Sequence, residues 1–217
     1  MEAKKWTGII LAGGLSRRMG TDKALLELNG STVLNHIVNT MKPAVSRIVA
    51  AAGPNEAIYS AMGYEGIECV QDEYPGKGPL AGLHAALSAS NTDWNLVCAC
   101  DMPLLQPSFF NGMKRLALQD ETYHVIIPHV DGRIHPLAGV YHRRILPELE
   151  HCLIHDRLRV IRWLEEMECR YVETYELEQV GIEQAARQLS NMNTPEQLDY
   201  IKAQARLQDS GGPPSGR

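Results

Sequence analysis

Residues 11–23, LAGGLSRRMGTDK, place glycines and cationic side chains directly after a run of apolar residues. Glycines in such a turn let backbone N–H groups approach phosphate oxygens, and neighbouring cations offset the phosphate charge. A tight turn with solvated cations would explain the glycines alone. It does not explain why Arg18 and Lys23 lie on either side of Gly20 immediately after a strand, so the stretch predicts a phosphate-binding turn.

The glycine spacing matches neither of the two common phosphate-binding motifs. Gly13-Gly14 is followed by the next glycine only at Gly20, which is not the GxGxxG pattern of dinucleotide enzymes. Lys23 follows Asp22, whereas a Walker A loop has glycine before its lysine. These differences argue against a dinucleotide redox enzyme and against a P-loop ATPase.

A carboxylate follows a second apolar run, in the sequence NLVCACDMPLL. Pro103 biases Met102 towards an extended conformation, so we expect Asp101 to emerge at the sheet edge where ligands bind. A carboxylate that faces bound phosphates is unfavourable unless a cation lies between them, and Mg²⁺ is commonly held by one or two carboxylates plus substrate phosphates. Asp101 is therefore a candidate Mg²⁺ ligand, with helix capping as the alternative role.

A third segment, QDEYPGKGPLAG, combines an acid with a glycine loop. Asp72 and the loop 76–82 follow a short predicted strand and precede a predicted helix. The segment could hold a base or a sugar while the helix N-terminus faces anionic groups. Alone it would be weak evidence for a site.

The elements that must position these residues alternate between strand and helix. Predicted strands are 7–11, 47–51, 68–70, 95–99, 125–127, 137–141 and 170–172, and predicted helices are 32–41, 80–89, 107–118, 158–167 and a last one from Thr194. This order, with near-continuous apolar strands, predicts an α/β fold: a mostly parallel sheet with helices on both faces. Ligands of such sheets bind beyond the carboxyl ends of the strands.

Composition restricts the class of protein. The 217 residues are 44% hydrophobic, enough for one globular domain, which we place at 1–204, with a disordered Gly-, Pro- and Ser-rich tail at 205–217. The net charge of −5 argues against a nucleic-acid partner. No apolar run reaches the ~20 residues of a membrane span, and residues 1–6 lack a signal peptide's apolar core, so we expect a cytoplasmic protein without a membrane partner.

Cysteine and histidine supply a further, weaker set of candidates. Five cysteines without a CxxC pair suit a reducing compartment better than a disulfide framework. Cys98 and Cys100 could in principle bind a metal, but no second ligand pair has zinc-like spacing, so we expect them to pack. His151 and His155, one helical turn apart with Cys152 between them, are interpreted as a partly solvated helix face.

Four segments together resemble one enzyme family. They are 11–23 (LAGGLSRRMGTDK), Asp72 with 75–82 (PGKGPLAG), 100–103 (CDMP) and 191–195 (NMNTP). In order and spacing, about residues 6–202 resemble the molybdenum cofactor guanylyltransferases, a branch of the Rossmann-like nucleotidyltransferases. The opening motif is fairly specific and NxNTP sharpens it, whereas DMP is widely shared among related enzymes.

The resemblance implies transfer of GMP from GTP to the terminal phosphate of molybdopterin, with Mg²⁺ as cofactor and pyrophosphate as second product. It implies catalytic roles for Arg18, Lys23 and Asp101, with Asp101 as the metal ligand. Transient contacts with molybdopterin-delivering and molybdoenzyme-maturation proteins are also expected. The substrate-binding residues implied by the motif match are Leu11, Ala12, Gly13, Gly14, Lys23, Asp72, Gly78, Pro79, Leu80, Gly82, Asp101, Asn191 and Asn193.

Two alternatives remain open at this stage. One is a cytidylyltransferase, or another nucleotidyltransferase of a pterin or sugar phosphate. Gly13 argues against it, because the corresponding cytidylyltransferases usually carry alanine there, and a methyl group would leave less room for a purine. The other is a regulatory or carrier protein that binds GTP without chemistry, and pyrophosphate release on adding acceptor would exclude it.

Overall fold

Strands and helices alternate along the chain, as the apolar pattern predicts. The computed structural model describes residues 5–13, 22–61 and 66–210, with side chains described as far as Arg206. The strands are β1 (Trp6–Leu11), β2 (Glu27–Leu28), β3 (Ser31–Thr32), β4 (Arg47–Ala51), β5 (Ile67–Val70), β6 (Trp94–Ala99), β7 (Val125–Val130), β8 (Arg133–Ile134), β9 (Ala138–His142) and β10 (Cys169–Glu173).

The helices lie mostly between consecutive strands. They are α1 (Val33–Met41), α2 (Glu56–Ala61), α3 (Pro79–Ala89), α4 (Pro107–Gln119), α5 (Leu146–Ile154), α6 (Val160–Glu165), α7 (Thr174–Gln179), α8 (Ala185–Gln188) and α9 (Pro195–Ser210). Short 3₁₀ helices cover Lys23–Leu25, Lys42–Ala44, Gly53–Asn55 and Arg143–Ile145.

The main sheet has the strand order β10-β7-β9-β6-β1-β4-β5, with β8 paired to the end of β7. β1 pairs in parallel with both β4 and β6, and β4 pairs in parallel with β5. β9 runs antiparallel between β6 and β7, because the Asp131-Gly132 turn, in which both residues have positive φ, reverses the chain after β7. The predicted mostly parallel α/β sheet is confirmed.

Both faces of the sheet are covered. Side chains of successive strand residues point to opposite faces, so Ile10 and Leu96 belong to one core cluster while Ile9 and Val97 belong to the other. The second cluster includes apolar side chains of α3, α5 and α6. Burial from two sides explains why strands such as WNLVCA are apolar throughout.

The C-terminal helix extends further than the sequence suggests. α9 begins at Pro195, next to the predicted cap Thr194, whose hydroxyl accepts a hydrogen bond from Gln197 N. We expected the folded domain to end at 204, but α9 continues to Ser210 and Ala205 is only 1% exposed. The expected tail therefore begins inside a helix, and the part of it at 211–217 lies outside the described residues.

The described part of the chain contains no helix with the length and apolar character needed to cross a membrane. The five cysteines are free, and three of them, Cys98, Cys100 and Cys152, are buried. Cys98 and Cys100 belong to one core cluster, in agreement with the expected packing role.

Candidate active site

The glycine-rich turn begins where β1 and β4 end side by side. Backbone N–H groups of Ala12 and Gly13 both donate to Ala51 O, at 2.9 Å. A Cβ built on Gly13 would lie 2.8 Å from Gly53 N, which is closer than real Cβ atoms approach backbone. Gly13 is thus required for the close approach of two backbone segments. Two predicted residues of this turn, Gly14 and Arg18, lie outside the described residues.

The far end of the turn is held by Asp22. Its carboxylate accepts hydrogen bonds from Ala24 N at 3.0 Å, Asn55 Nδ2 at 2.7 Å and the Tyr59 hydroxyl at 2.6 Å. The first of these bonds caps the 3₁₀ helix that starts at Lys23. The departure from the Walker A pattern at Asp22 therefore has a structural reason, since this acid anchors the turn.

Lys23 links the turn to two other predicted site residues. Its Nζ lies 3.5 Å from Asp101 Oδ2 and donates a 2.5 Å hydrogen bond to Asn193 Oδ1. The Lys23 side chain is 12% exposed, so the ammonium group is largely withdrawn from water. Residues from three distant parts of the chain thus meet at the carboxyl ends of β1 and β6.

Asp101 lies in the turn that follows β6. Cys100 N, just before it, donates to Leu11 O at 3.0 Å, which fixes this turn against the end of β1. Burial raises the pKa of Asp101, and the adjacent Lys23 ammonium opposes that rise. The residue that precedes α4 is Gln106, so the alternative role of Asp101 as the cap of that helix is wrong.

The NMNTP segment is fixed by backbone contacts. Met192 N donates to Asp101 O at 2.8 Å, and the Met192 side chain is fully buried. Gln197 Oε1 accepts from Asn193 N at 2.7 Å, so the start of α9 orients the asparagine that binds Lys23. These bonds bring the chain at Asn191 and Asn193 next to Asp101.

The described residues fit a divalent cation. Asp101 Oδ1 and Asn191 Oδ1 are buried and have no hydrogen-bond partner within the described part of the chain. A carboxylate and an amide oxygen are hard oxygen donors of the kind that Mg²⁺ prefers, with substrate phosphates completing its shell. The described residues contain no group of three or more His, Cys, Asp or Glu that could hold a metal without such substrate oxygens.

The second acid, Asp72, lies beyond β5 in a different setting. Its Oδ1 is buried without a hydrogen-bond partner among the described residues, and burial raises its pKa. Glycines surround it: Cβ atoms built on Gly53 and Gly82 would each lie 3.7 Å from its carboxylate oxygens. Two glycines thus lie beside an acceptor that lacks a donor among the described residues.

The glycine loop predicted at 76–82 ends at Gly78, and residues 79–82 belong to α3. Gly78 has φ +73°, a conformation that other residues rarely adopt, and Pro79 is the first residue of α3. Leu80 is fully buried, so only its backbone could contact a ligand. Lys77 ties the loop to the end of α5 through an ion pair with Asp156 at 3.1 Å.

The two acids lie at separate positions along the sheet edge. β5 and β6 are separated by β4 and β1, and neighbouring strands lie about 4.8 Å apart, so the two strand ends are about 14 Å apart. The glycine-rich turn after β1 lies between them. The arrangement suits an elongated ligand with phosphates near Asp101 and an uncharged polar end near Asp72.

Several features lie outside the predicted set. Asn55 and Tyr59 were missed, because nothing in the local sequence shows that they reach Asp22.

A cavity of about 310 Å³ lies between the end of α5 and α6, lined in part by Arg157, Arg159 and Trp163, away from Lys23. His151 and His155 are exposed, as predicted, with ring centroids 4.4 Å apart.

Comparison with known proteins gives one consistent result. Residues 8–169 match the model of the MobA-like NTP transferase domain. The molybdenum cofactor guanylyltransferase of Photobacterium profundum is 33% identical over 200 residues, covering 92% of this chain and 96% of the relative. The one from Yersinia pestis is 32% identical over 207 residues, covering 93% and 97%.

Solved structures agree on the fold. Molybdopterin-guanine dinucleotide biosynthesis protein A from Archaeoglobus fulgidus superimposes with a TM-score of 0.80 at 22% identity, covering 93% of this chain and 99% of that one. The manganese complex of a protein from Mycobacterium tuberculosis has a TM-score of 0.59 at 19% identity, covering 79% of this chain and 89% of that one.

Proposed function

The chain belongs to the molybdenum cofactor guanylyltransferase family, among the MobA-like NTP transferase domains, and we propose that it transfers GMP from GTP to the terminal phosphate of molybdopterin. The observation that carries this proposal is the contact of Lys23, at the end of the glycine-rich turn, with both Asp101 and Asn193. A cation, a carboxylate and an amide meet there at a sheet edge, where nucleotides bind in such folds.

In the proposed reaction, an oxygen of the acceptor phosphate attacks the α-phosphorus of GTP. The bond from that phosphorus to the β-phosphate oxygen breaks, and pyrophosphate leaves with the bonding electrons. Catalysis of this kind depends mainly on positioning and charge stabilisation. The acceptor phosphate is already ionised at neutral pH, so the reaction needs neither a side-chain nucleophile nor a strong general base.

The chain's own residues divide this work. Lys23 and Arg18 would neutralise the charge of the triphosphate, and Gly13 and Gly14 would form the turn around it. Asp101, supported by Asn191 and Asn193, would hold Mg²⁺, which supplies charge neutralisation at the phosphates when bound. Asp72, with Gly78 and the first residues of α3 as far as Gly82, would hold the guanosine. The backbone of Leu11 and Ala12 would line the path from the guanosine to the phosphates, and Pro79 and Leu80 would form the wall beside the guanosine.

The cysteine content also bears on the cellular compartment of the reaction. Five free cysteines suit a reducing compartment, so we expect the enzyme in the cytoplasm. Proteins that deliver molybdopterin or mature molybdoenzymes would be its transient partners.

The decisive test combines purified protein, Mg²⁺, molybdopterin and either GTP or CTP, with product mass and pyrophosphate measured together. We expect the guanine dinucleotide and one pyrophosphate per product. A clear preference for CTP would favour the cytidylyltransferase alternative. Tight GTP binding without pyrophosphate release on adding the acceptor would favour the carrier alternative.

A further inference from the structure

Tyr59 contacts both ends of the glycine-rich turn. Its hydroxyl donates to Asp22 Oδ2 at 2.6 Å and lies 3.2 Å from Ala12 O. Tyr59 is on α2 and only 1% exposed, so its hydroxyl does not exchange these partners for water. Burial, reinforced by the bond to Asp22, raises the pKa of Tyr59, so it remains a donor at neutral pH.

Asp22 lies at the far end of the turn, immediately before Lys23. Asn55, two residues after Gly53, donates to the same carboxylate oxygen as Tyr59, at 2.7 Å. Two side chains from one connection between β4 and β5 therefore fix the carboxylate next to the lysine. Because Lys23 begins its 3₁₀ helix at this capped position, the reach of its ammonium group depends on Asp22.

We propose that Tyr59, assisted by Asn55, is a positioning residue for triphosphate binding. It holds the two ends of the turn together and fixes the backbone position from which the Lys23 side chain extends. The inference rests on the proposed function, in which Lys23 binds the triphosphate. A side chain fixed before the ligand arrives loses less conformational entropy on binding, and this preorganisation appears as affinity.

The inference makes a distinction between nucleotides. Tyr59 acts through Lys23, which faces the triphosphate, and has no described contact with Asp72 at the other end of the site. Removing the hydroxyl should weaken GTP binding while leaving GMP binding nearly unchanged. A hydroxyl that only stabilised the fold would change neither affinity in the folded protein, or both alike.

The test measures dissociation constants of GTP and GMP for the wild type, Tyr59→Phe and Asn55→Ala, well below each melting temperature. Tyr141→Phe is the matched control, because it also removes a buried tyrosine hydroxyl, one that donates to Pro136 O. We expect Tyr59→Phe to weaken GTP binding about tenfold, as for loss of a hydrogen bond to a charged group, and GMP binding less than about twofold. Asn55→Ala should show the same pattern more weakly, and Tyr141→Phe should change neither constant.

A double variant tests the route of the effect. If Tyr59 acts through Lys23, then adding Tyr59→Phe to Lys23→Ala should weaken GTP binding by less than about twofold. Equal weakening of GTP and GMP, wild-type affinity in Tyr59→Phe, or additive losses in the double variant would each overturn the inference. If the wild type binds CTP and not GTP, the guanylyl assignment fails, and the same comparison runs with CTP and CMP.

Discussion

Asp72 and Asp101 stand at equivalent places, each just beyond the carboxyl end of a parallel strand, but their surroundings differ. Burial raises the pKa of both, and each has one buried oxygen without a partner among the described residues. Asp101 has the ammonium group of Lys23 at 3.5 Å and an asparagine beside it. Asp72 has glycine backbone around it and no described ion pair.

Under the proposed function, this difference would let one residue type support two tasks in one site. A carboxylate beside a lysine and an amide oxygen is suited to phosphates and a divalent cation. A carboxylate with glycines beside it and no ion pair can accept hydrogen bonds from neutral N–H or O–H groups of a nucleoside. In the proposed function, the phosphates would therefore lie at Asp101 and the nucleoside at Asp72, about 14 Å away along the sheet edge.

The largest effect should come from Asp101→Asn. The variant keeps the size of the side chain but loses the charge that balances Lys23 and would hold the metal. We expect kcat for GMP transfer to fall about 1000-fold, measured as pyrophosphate release at saturating GTP and Mg²⁺. Asp93→Asn, at the opposite end of β6, is the control and should be fully active. Near-normal turnover of Asp101→Asn would remove Asp101 from the phosphate end.

Lys23→Ala should act on the same end but mainly on binding. A hydrogen bond to a charged group is worth about 1.5–3 kcal/mol, which corresponds to an increase of about 10- to 150-fold in the GTP dissociation constant. Calorimetry with GTP and GMP should show the loss for GTP chiefly. Lys114→Ala, which removes a partly buried lysine that lies 5.5 Å from the ring centroid of Trp6 at the amino end of β1, should leave the GTP affinity near wild type. Unchanged affinity in Lys23→Ala would mean that this lysine is only structural.

Asp72→Asn should show the opposite nucleotide pattern. The amide retains one acceptor oxygen but loses the charge, so we expect GTP and GMP binding to weaken alike, by about tenfold, with kcat nearly unchanged. The same calorimetric titrations measure it. A loss confined to GTP, or a fall in kcat as large as that of Asp101→Asn, would erase the distinction between the two acids.

Gly13→Ala tests the glycine-rich turn, which lies between Asp72 and Asp101. From the sequence, a methyl group there would crowd a purine, or strain the backbone if φ were positive. The structure excludes the second case, because φ at Gly13 is not positive, and it adds another cost, because the added Cβ would meet the Gly53 backbone. We expect a stability loss of about 1–3 kcal/mol in denaturant unfolding and proportional losses of kcat/KM for GTP and CTP. A selective loss of GTP activity at wild-type stability would restore the role of Gly13 as a base selector.

The smallest effects should come from shortening the C-terminal end of α9, which contains none of the candidate site residues. A chain ending at Ser210 should unfold at the wild-type temperature. A chain ending at Gln204 also loses the buried Ala205, and we expect it to be less stable by about 1 kcal/mol, with nucleotide affinities unchanged. Altered GTP affinity in the chain ending at Ser210 would show that residues 211–217 contribute to the site.

The sequence predicted the positions of Lys23 and Asp101 better than it predicted the residues that hold them in place. The apolar runs predicted β1, β4 and β6. Those strands in turn predicted that Asp101 and the turn that carries Lys23 lie at the carboxyl edge of the sheet. The reversed direction of β9 could not be predicted, because a buried strand is apolar on both faces whichever way it runs.

The anchoring residues could not be predicted for a different reason. Tyr59 and Asn55 lie more than thirty residues from Asp22 in the chain, and their contact depends on how α2 packs against the turn. Hydrophobic spacing predicts that a side chain is buried, but it does not predict which polar partner its hydroxyl meets. The same limit applies to Gly53, whose close approach to Gly13 is a tertiary contact between two strand ends.

The most direct test of the division between the two acids is the affinity for Mn²⁺ in the presence of GTP, measured by electron paramagnetic resonance for the wild type, Asp101→Asn and Asp72→Asn at saturating GTP. The prediction is that Asp101→Asn weakens Mn²⁺ binding by tenfold or more, about 1.4 kcal/mol, while Asp72→Asn binds Mn²⁺ as the wild type does. Wild-type Mn²⁺ affinity in Asp101→Asn, or an equal loss in both variants, would contradict it.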